Sequence, residues 1–493
     1  MSLTKIVEDK THWLGRRVFS IEQLNIEKLL YILLIGAAIL TRFANLGDRV
    51  MSHDESLHVY FSWNLYKGLG FSHTPLMHGP FKFELTALIY SLFGASDFTA
   101  RISVAVFGVA LVALPYFLRR WLGRTGAIST AFMLLISPSI WYHARYIRDE
   151  AYMLVWGMLL VWAMFSYLRT RSNKWLYFLA IIVALMYTTM EAAFIFSAIF
   201  GIFLIGVLIL DLSRRADFWS KTVVKTIVAL VVAVIVAGAV VILHALILGA
   251  IGLGPGDPSP FPVPPVPIQP GLPIDLSSQL QFILQTIGGL LKVLLSLLIP
   301  LGLFGFAAYK WFKYMLPDPL RESSAFDLAL IILTLSLFML SAGALTVLNS
   351  IWMNILRTPF VDVNFFADGN FPTTDVGLVL RLAVVFGAFA AVSIALGLWW
   401  DRRRWLISTG IFIGIGVTLF TTVFTNGVGL GTGFVGSLGY WLAQQGVARG
   451  SQPIYYYFIV TPIYEYLPIL ISIAATIFYL VRWLRRRGSA ADA

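Results

Sequence analysis

Apolar residues in this chain gather into long runs separated by short charged punctuation, the pattern of helices that cross a membrane. The runs are 27–46, 99–118, 126–143, 151–168, 175–189, 192–211, 223–250, 293–312, 326–348, 378–399, 405–424 and 458–481. One hydrocarbon crossing takes about 20 mainly apolar residues. The reading is therefore an all-α polytopic membrane protein with about 12 transmembrane helices, the first of them retained because no small-residue cleavage site follows it. Residues 81–94 (FKFELTALIYSLFG) are apolar too, but the run is short and carries Lys82 and Glu84 near its start. It predicts an interfacial helix lying on the membrane. In the same loop, Leu57, Tyr60, Phe61, Asn64 and Leu65 recur by threes and fours, which predicts a second helix from Glu55 to Gly68.

Charge orients these spans. Most of the 36 lysines and arginines, including Arg119, Arg120, Arg169, Arg171, Arg402, Arg403, Arg404 and Arg485, fall in one set of loops. The positive-inside rule makes that side cytoplasmic and puts both termini there. The net charge of +11 is thus a topology signal, and no nucleic-acid partner follows from it. Only 12% of residues are charged and 58% are hydrophobic, against about 25% charged in soluble proteins, which excludes a soluble enzyme. The absence of cysteine removes disulfides, thiolate metal sites and cysteine nucleophiles. Three parts are laid out in order. Residues 1–250 hold seven spans and the first outer loop, 47–98; residues 251–292 are an outer loop; residues 293–493 hold five spans and the outer loop 425–457. The stretch 251–275 is Pro-rich and nearly uncharged, a stiff polyproline spacer or a lid.

The outer loops concentrate the polar chemistry. The first carries His53, Asp54, Glu55, His58, His73 and His78. Asp54 and Glu55 open a helix, where the dipole favours carboxylates and Asp54 could serve as a simple cap. A second acidic pair, Asp149 and Glu150, follows His143, Arg145, Tyr146 and Arg148; the two arginines either neutralise those acids or face an anionic group. Glu191 sits at the tip of a tight hairpin, where Thr188 and Thr189 could satisfy it or where it could work on a substrate. If these loops converge, paired acids could take a proton from an acceptor hydroxyl or bind a divalent cation (Mg or Mn) through Asp54 and Asp149. There is no P-loop, no strand-borne dinucleotide motif and no HExxH. The Gly-rich run 427–439 reads as a flexible or re-entrant outer loop more than as a phosphate cradle, since no strand leads into it.

Together these motifs resemble the GT-C clan of glycosyltransferases, integral-membrane enzymes that use polyprenyl-phosphate-linked sugar donors. The resemblance rests on Asp54-Glu55 with His58, on His78-Gly79-Pro80 before the interfacial helix, on Ala100-Arg101-Ile102-Ser103, and on Arg119-Arg120. Arg145 to Asp149 is similar to the second-loop motif of protein O-mannosyltransferases and aminoarabinose transferases. The stretch from Thr425 to Pro468 resembles the last outer loop of the archaeal and bacterial flippase activity-associated membrane proteins. No WWDYG-like block appears and no soluble domain follows the last span, which disfavours an asparagine oligosaccharyltransferase.

The resemblance implies that Asp54 is the catalytic base with Glu55 its partner, that Asp149 orients acceptor or metal, and that Arg145 assists with charge. It implies substrate-binding roles for residues of the last loop, Arg449, Tyr455, Tyr456 and Glu465; His58, His78, Arg148, Glu150 and Glu191 complete the candidate substrate-binding set. The expected protein is a multi-pass enzyme of the plasma (inner) membrane with an extracytoplasmic active site. It would transfer sugar, with inversion, from a polyprenyl-phosphate donor to an acceptor glycan, lipid or protein. The alternative is a non-catalytic binding or translocation partner of lipid-linked saccharides, or a membrane subunit of a larger complex.

Overall fold

The computed structural model describes residues 25–213, 301–314, 318–356, 376–445 and 455–491, with isolated positions between them. The expected span 223–250, the Pro-rich loop, the start of 293–312 and Arg449 lie outside the described residues. Among the described residues every regular element is a helix and none is a strand.

The first half of the chain forms α1 (Ile26–Phe43), α2 (His53–Tyr66), a short 3₁₀ turn (Pro75–Met77), α3 (Phe81–Phe93), α4 (Asp97–Ala113), α5 (Pro115–Ile136), α6 (Pro138–His143), α7 (Glu150–Thr170), α8 (Asn173–Tyr187) and α9 (Ala192–Ser213). The second half adds α10 (Ser324–Leu337), α11 (Ser341–Leu356), α12 (Val376–Phe420), α13 (Ser437–Gln444), α14 (Tyr456–Tyr464) and α15 (Tyr466–Ala491). Local chemistry sets many starts. Asn25, Ser52, Ser96 and Ser137 each accept a backbone N–H of the first turn they precede.

Four stretches are long and apolar enough to cross a membrane: Asp97–Ile136, Glu150–Thr170, Ala192–Ser213 and Leu378–Phe420. Two of them hold two expected spans each. They turn at Gly123, whose φ of 74° needs glycine, and at Asp401, whose ψ of 105° leaves the helical range. Two further expected spans, 326–348 and 458–481, are bent pairs, by 65° and 94°; counting each pair as one span gives six among the described residues. The chain is a multi-pass helical membrane protein. The helix expected at 81–94 is α3, which at 13 residues is too short to cross hydrocarbon.

The helices form two compact units, each discontinuous in sequence. The first comprises residues 1–69, 82–162 and 448–493, and the second residues 70–81 and 163–447. In the first, α1 packs on α4 and α5 around Tyr31, Ala38, Val112 and Ala131. Phe107 of α4 meets the rings of Tyr152 and Trp156 on α7. In the second, α8 lies against α12, and Leu345, Leu382, Val385 and Leu438 share a dry core. A buried acid on α10, Asp327, ties this unit together by accepting from Tyr167 Oη (2.7 Å), Arg171 Nε (2.7 Å) and Trp400 Nε1 (2.8 Å).

The Gly-rich run is also resolved as packing. A Cβ on Gly429 would lie 1.8 Å from the Phe420 carbonyl oxygen, and one on Gly433 would lie 2.3 Å from the Phe420 ring. Residues Thr432–Gly436 form a single π-helical turn within this helical segment. The glycines let helices approach, and no phosphate cradle forms there.

Candidate active site

The site in the first unit is built outward from Glu55. Ser52 caps α2, accepting from Glu55 N (3.4 Å), and its own backbone N–H donates back to Glu55 Oε2 (3.2 Å). Glu55 is fully buried there. Its Oε2 also accepts from Arg49 Nη2 (2.7 Å) and Arg101 Nη2 (3.1 Å), and its Oε1 from Arg101 Nε (2.9 Å) and Ile147 N (3.3 Å). Arg101 donates in addition to the carbonyls of Leu46 and Arg49. One carboxylate thereby joins the α1–α2 loop, α4 and the loop before α7. Its lone pairs are spent on that joint, so Glu55 holds the loops together.

A second buried pair lies behind α2. Lys82 Nζ donates to Asp149 Oδ2 at 2.6 Å and stands 3.5 Å from His58 Nε2, and both members of the ion pair are at most 1% exposed. The ammonium also sits 4.9 Å from the centre of the Phe83 ring. This arrangement fastens α3, α2 and the start of α7. Lys82 is the residue that sequence reasoning misses, standing there only as a charge near the start of a short apolar run. The available signal was a lysine inside an otherwise apolar run, which is costly unless a carboxylate meets it.

Arg145 is also committed elsewhere. Its Nη1 donates to the carbonyls of Thr41 (3.0 Å), Arg42 (2.9 Å) and Ala44 (2.7 Å), and its Nη2 to Asn45 (3.1 Å). These are the orphan acceptors at the negative end of α1, where a cation is favoured. Burial, then Arg101 and Arg49, hold its guanidinium below the ordinary arginine range. Arg145 thus caps the end of α1. Glu465 likewise accepts from Ser137 Oγ (2.7 Å) and Ser139 N (3.1 Å), pinning the bend before α15 to the start of α6. Tyr455 and Tyr456 stand at the beginning of α14, with Tyr455 exposed.

What remains open to solvent is narrower than the sequence suggested. Asp54, 47% exposed at its side chain, pairs with Arg148 Nη1 at 3.2 Å. Arg148, 33% exposed, reaches Glu150 Oε1 at 3.6 Å, and Glu150 in turn lies 3.6 Å from His143 Nδ1. Arg49, unremarked in the sequence, lies over the stacked rings of Tyr142 and Tyr146, centres 5.8 and 5.3 Å away. Tyr146 accepts from Ser52 Oγ at 2.8 Å, and burial raises its phenol above the usual value despite that bond. Asp54 is not the cap of α2; Ser52 is.

The second unit brings His78 and Glu191 together. His78 Nδ1 lies 2.6 Å from Glu191 Oε2, with Glu191 buried. The next residue explains the fit: Gly79 N donates to Thr189 O and Phe81 N to Thr188 O, both at 3.0 Å. A Cβ on Gly79 would come within 2.0 Å of the Thr188 oxygen. Thr188 and Thr189 thus bind through their carbonyls, and the carboxylate of Glu191 takes a histidine instead.

Asp149 is engaged by an ammonium and Asp54 by a guanidinium, and no group of three or more histidines or acids is placed to hold a metal among the described residues.

An all-helical, multi-pass chain thus carries paired acids and arginines between its first helices. The comparison with family models agrees with the resemblance over part of the chain. Residues 77–242, about a third of the chain, match the family described as dolichyl-phosphate-mannose-protein mannosyltransferases. That stretch contains His78, Lys82, Arg101, Asp149 and Glu191. Among solved structures the chain is similar to ArnT from Cupriavidus metallidurans bound to undecaprenyl phosphate, at 14% identity and a TM-score of 0.33, covering 83% of this chain and 75% of that one. It is also similar to the oligosaccharyltransferase of Archaeoglobus fulgidus in its apo form, at 13% identity and a TM-score of 0.33, covering 83% of this chain and 56% of that one. No curated protein sequence matches.

Proposed function

We propose that the chain transfers a sugar from a polyprenyl-phosphate donor to an acceptor hydroxyl, on the extracytoplasmic side of the plasma membrane with both termini cytoplasmic. The observation that carries the reading is the sorting of charges in the first unit. Glu55, Arg101, Lys82 and Asp149 are buried in closed pairs, whereas Asp54 and Arg148 face solvent together, 3.2 Å apart. An exposed carboxylate beside an exposed guanidinium suits the two ends of a single displacement.

Asp54 takes the proton of the acceptor hydroxyl as its oxygen attacks the anomeric carbon. The bond from that carbon to the phosphate oxygen breaks, and the electron pair leaves with the lipid phosphate. Arg148, released from Asp54, meets the charge that develops there, with Arg49 as a second cation. One attack from the face opposite the phosphate inverts the configuration. Glu55 and Asp149 act by position: they fix the loops that carry Asp54 and Arg148.

The test uses purified protein in lipid nanodiscs with a radiolabelled mannosyl polyprenyl phosphate and methyl mannoside as the hydroxyl acceptor. Release of free lipid phosphate supports the reading, and Asp54→Asn should lower that release by about 10²–10⁴-fold at unchanged thermal stability. Tight binding of the lipid without release would overturn it in favour of a binding or translocation partner. Full turnover in Asp54→Asn would remove Asp54 as the base.

A further inference from the structure

One face of α2 takes no part in the buried joints just described. Glu55, His58 and Ser62 point into the protein, and the opposite stripe, His53, Ser56, Tyr60, Trp63 and Lys67, is exposed. The spacing of three and four residues lays these five side chains along a single line. Tyr60 is 57% exposed and Trp63 38%. Lys67 Nζ lies 4.8 Å from the Tyr66 ring centre and 5.7 Å from that of Trp63, so the far end of the stripe is a cation held against aromatic faces. The near end, His53, adjoins Asp54.

The composition of the stripe separates two occupants. A helix that sinks one face into lipid shows aliphatic and aromatic residues on that face and keeps its polar residues on the other. Here an aromatic pair, Tyr60 and Trp63, stands between polar residues on the same line, and none of the five is aliphatic. That mixture fits a ligand with apolar C–H faces ringed by hydroxyls, which is a sugar. Tyr and Trp offer flat faces to the pyranose ring at low entropic cost, and His53, Ser56 and Lys67 offer hydrogen-bond partners. A line of some fourteen residues rises about 20 Å, long enough for several sugar residues in register.

We propose that the exposed stripe of α2 is a carbohydrate platform, and that the acceptor of the reaction is an oligosaccharide lying along it with its reactive hydroxyl at Asp54. The identification of the acceptor rests on the transferase reading; the carbohydrate binding does not. The platform is a binding surface, and Tyr60 and Trp63 take no part in the transfer step itself.

The test separates the two. Saturation-transfer NMR with mannotriose and the full-length protein in nanodiscs should give a signal for wild type. Tyr60→Ala and Trp63→Ala should each weaken affinity about tenfold, on the order of one lost stacking contact. Both variants should melt like wild type, since the two side chains are exposed. A mannotriose signal that is absent in wild type, or equally strong in both variants, overturns the platform. So does strong quenching of a fluorophore attached at Ser56→Cys by brominated lipids, because the stripe would then lie in the bilayer. If the platform holds but no donor turns over even in wild type, it is the transferase reading that fails.

Discussion

Replacing Lys82 by methionine gives the sharpest view of how the site is held. The substitution keeps the length of the side chain and removes the ammonium. Asp149, 1% exposed, is left with a buried charge whose 2.6 Å partner has gone. Breaking one side of such a pair costs about 3–5 kcal/mol, because the remaining ion is neither solvated nor paired. For a unit of roughly 200 residues each kcal/mol moves the melting temperature by about 2–4 °C, so Lys82→Met should melt about 6–20 °C lower. Asp149→Leu should do the same, since it strands the ammonium. The double variant Lys82→Met with Asp149→Leu places two apolar groups where two charges met, and a buried pair exchanged for apolar groups is often neutral. It should recover most of the lost stability. The measurement is a double-mutant cycle by thermal melting in detergent, with donor turnover per folded molecule read in parallel. Additive losses in the double variant would refute the pairing argument. A double variant that melts like wild type yet turns over more than about 10²-fold slower would refute the assignment of Lys82 to position, and would put its ammonium on the substrate.

Three further outcomes follow from the same geometry. Arg145→Met removes four donations to the end of α1 and should lower stability by about 1.5–3 kcal/mol, on the scale of lost hydrogen bonds to a charged group; an unchanged melt would deny the cap. Gly79→Ala forces a Cβ to within 2.0 Å of the Thr188 oxygen and should cost about 1–3 kcal/mol, with faster amide exchange at Phe81 as its local signature. Glu84, on α3, is pushed up to about 8 by desolvation, with Oε1 buried and without a hydrogen bond. Below pH 4.5 both folded and unfolded chains hold the proton. Between there and about pH 8 only the folded chain holds it, so stability should fall as pH rises through that window and level off above it. Glu84→Gln should flatten this part of a melting-temperature profile, and an unaltered slope would contradict it.

Hydropathy was enough to establish an all-helical membrane protein, because each crossing must satisfy its backbone internally and must be apolar for its whole length. It also located α2 and α3 in the long loop that follows the first span. Periodicity carried no information on breaks: the bend of 94° between α14 and α15 sits inside one apolar run, set by where Glu465 finds its partners. Nor could the line of residues rank its own acids. Asp54 and Glu55 are neighbours in sequence, yet a helix turns consecutive side chains about 100° apart, so one faces solvent and the other the Arg101 guanidinium. Lys82 and Asp149 look like a helix boundary and a catalytic acid until they meet. Composition and pattern determined that this chain lives in a membrane and carries acids on the loops between its spans. Only the tertiary structure decided which charges neutralise each other in the dark and which are left to act, because burial and partnership are set by contacts between residues far apart in the chain.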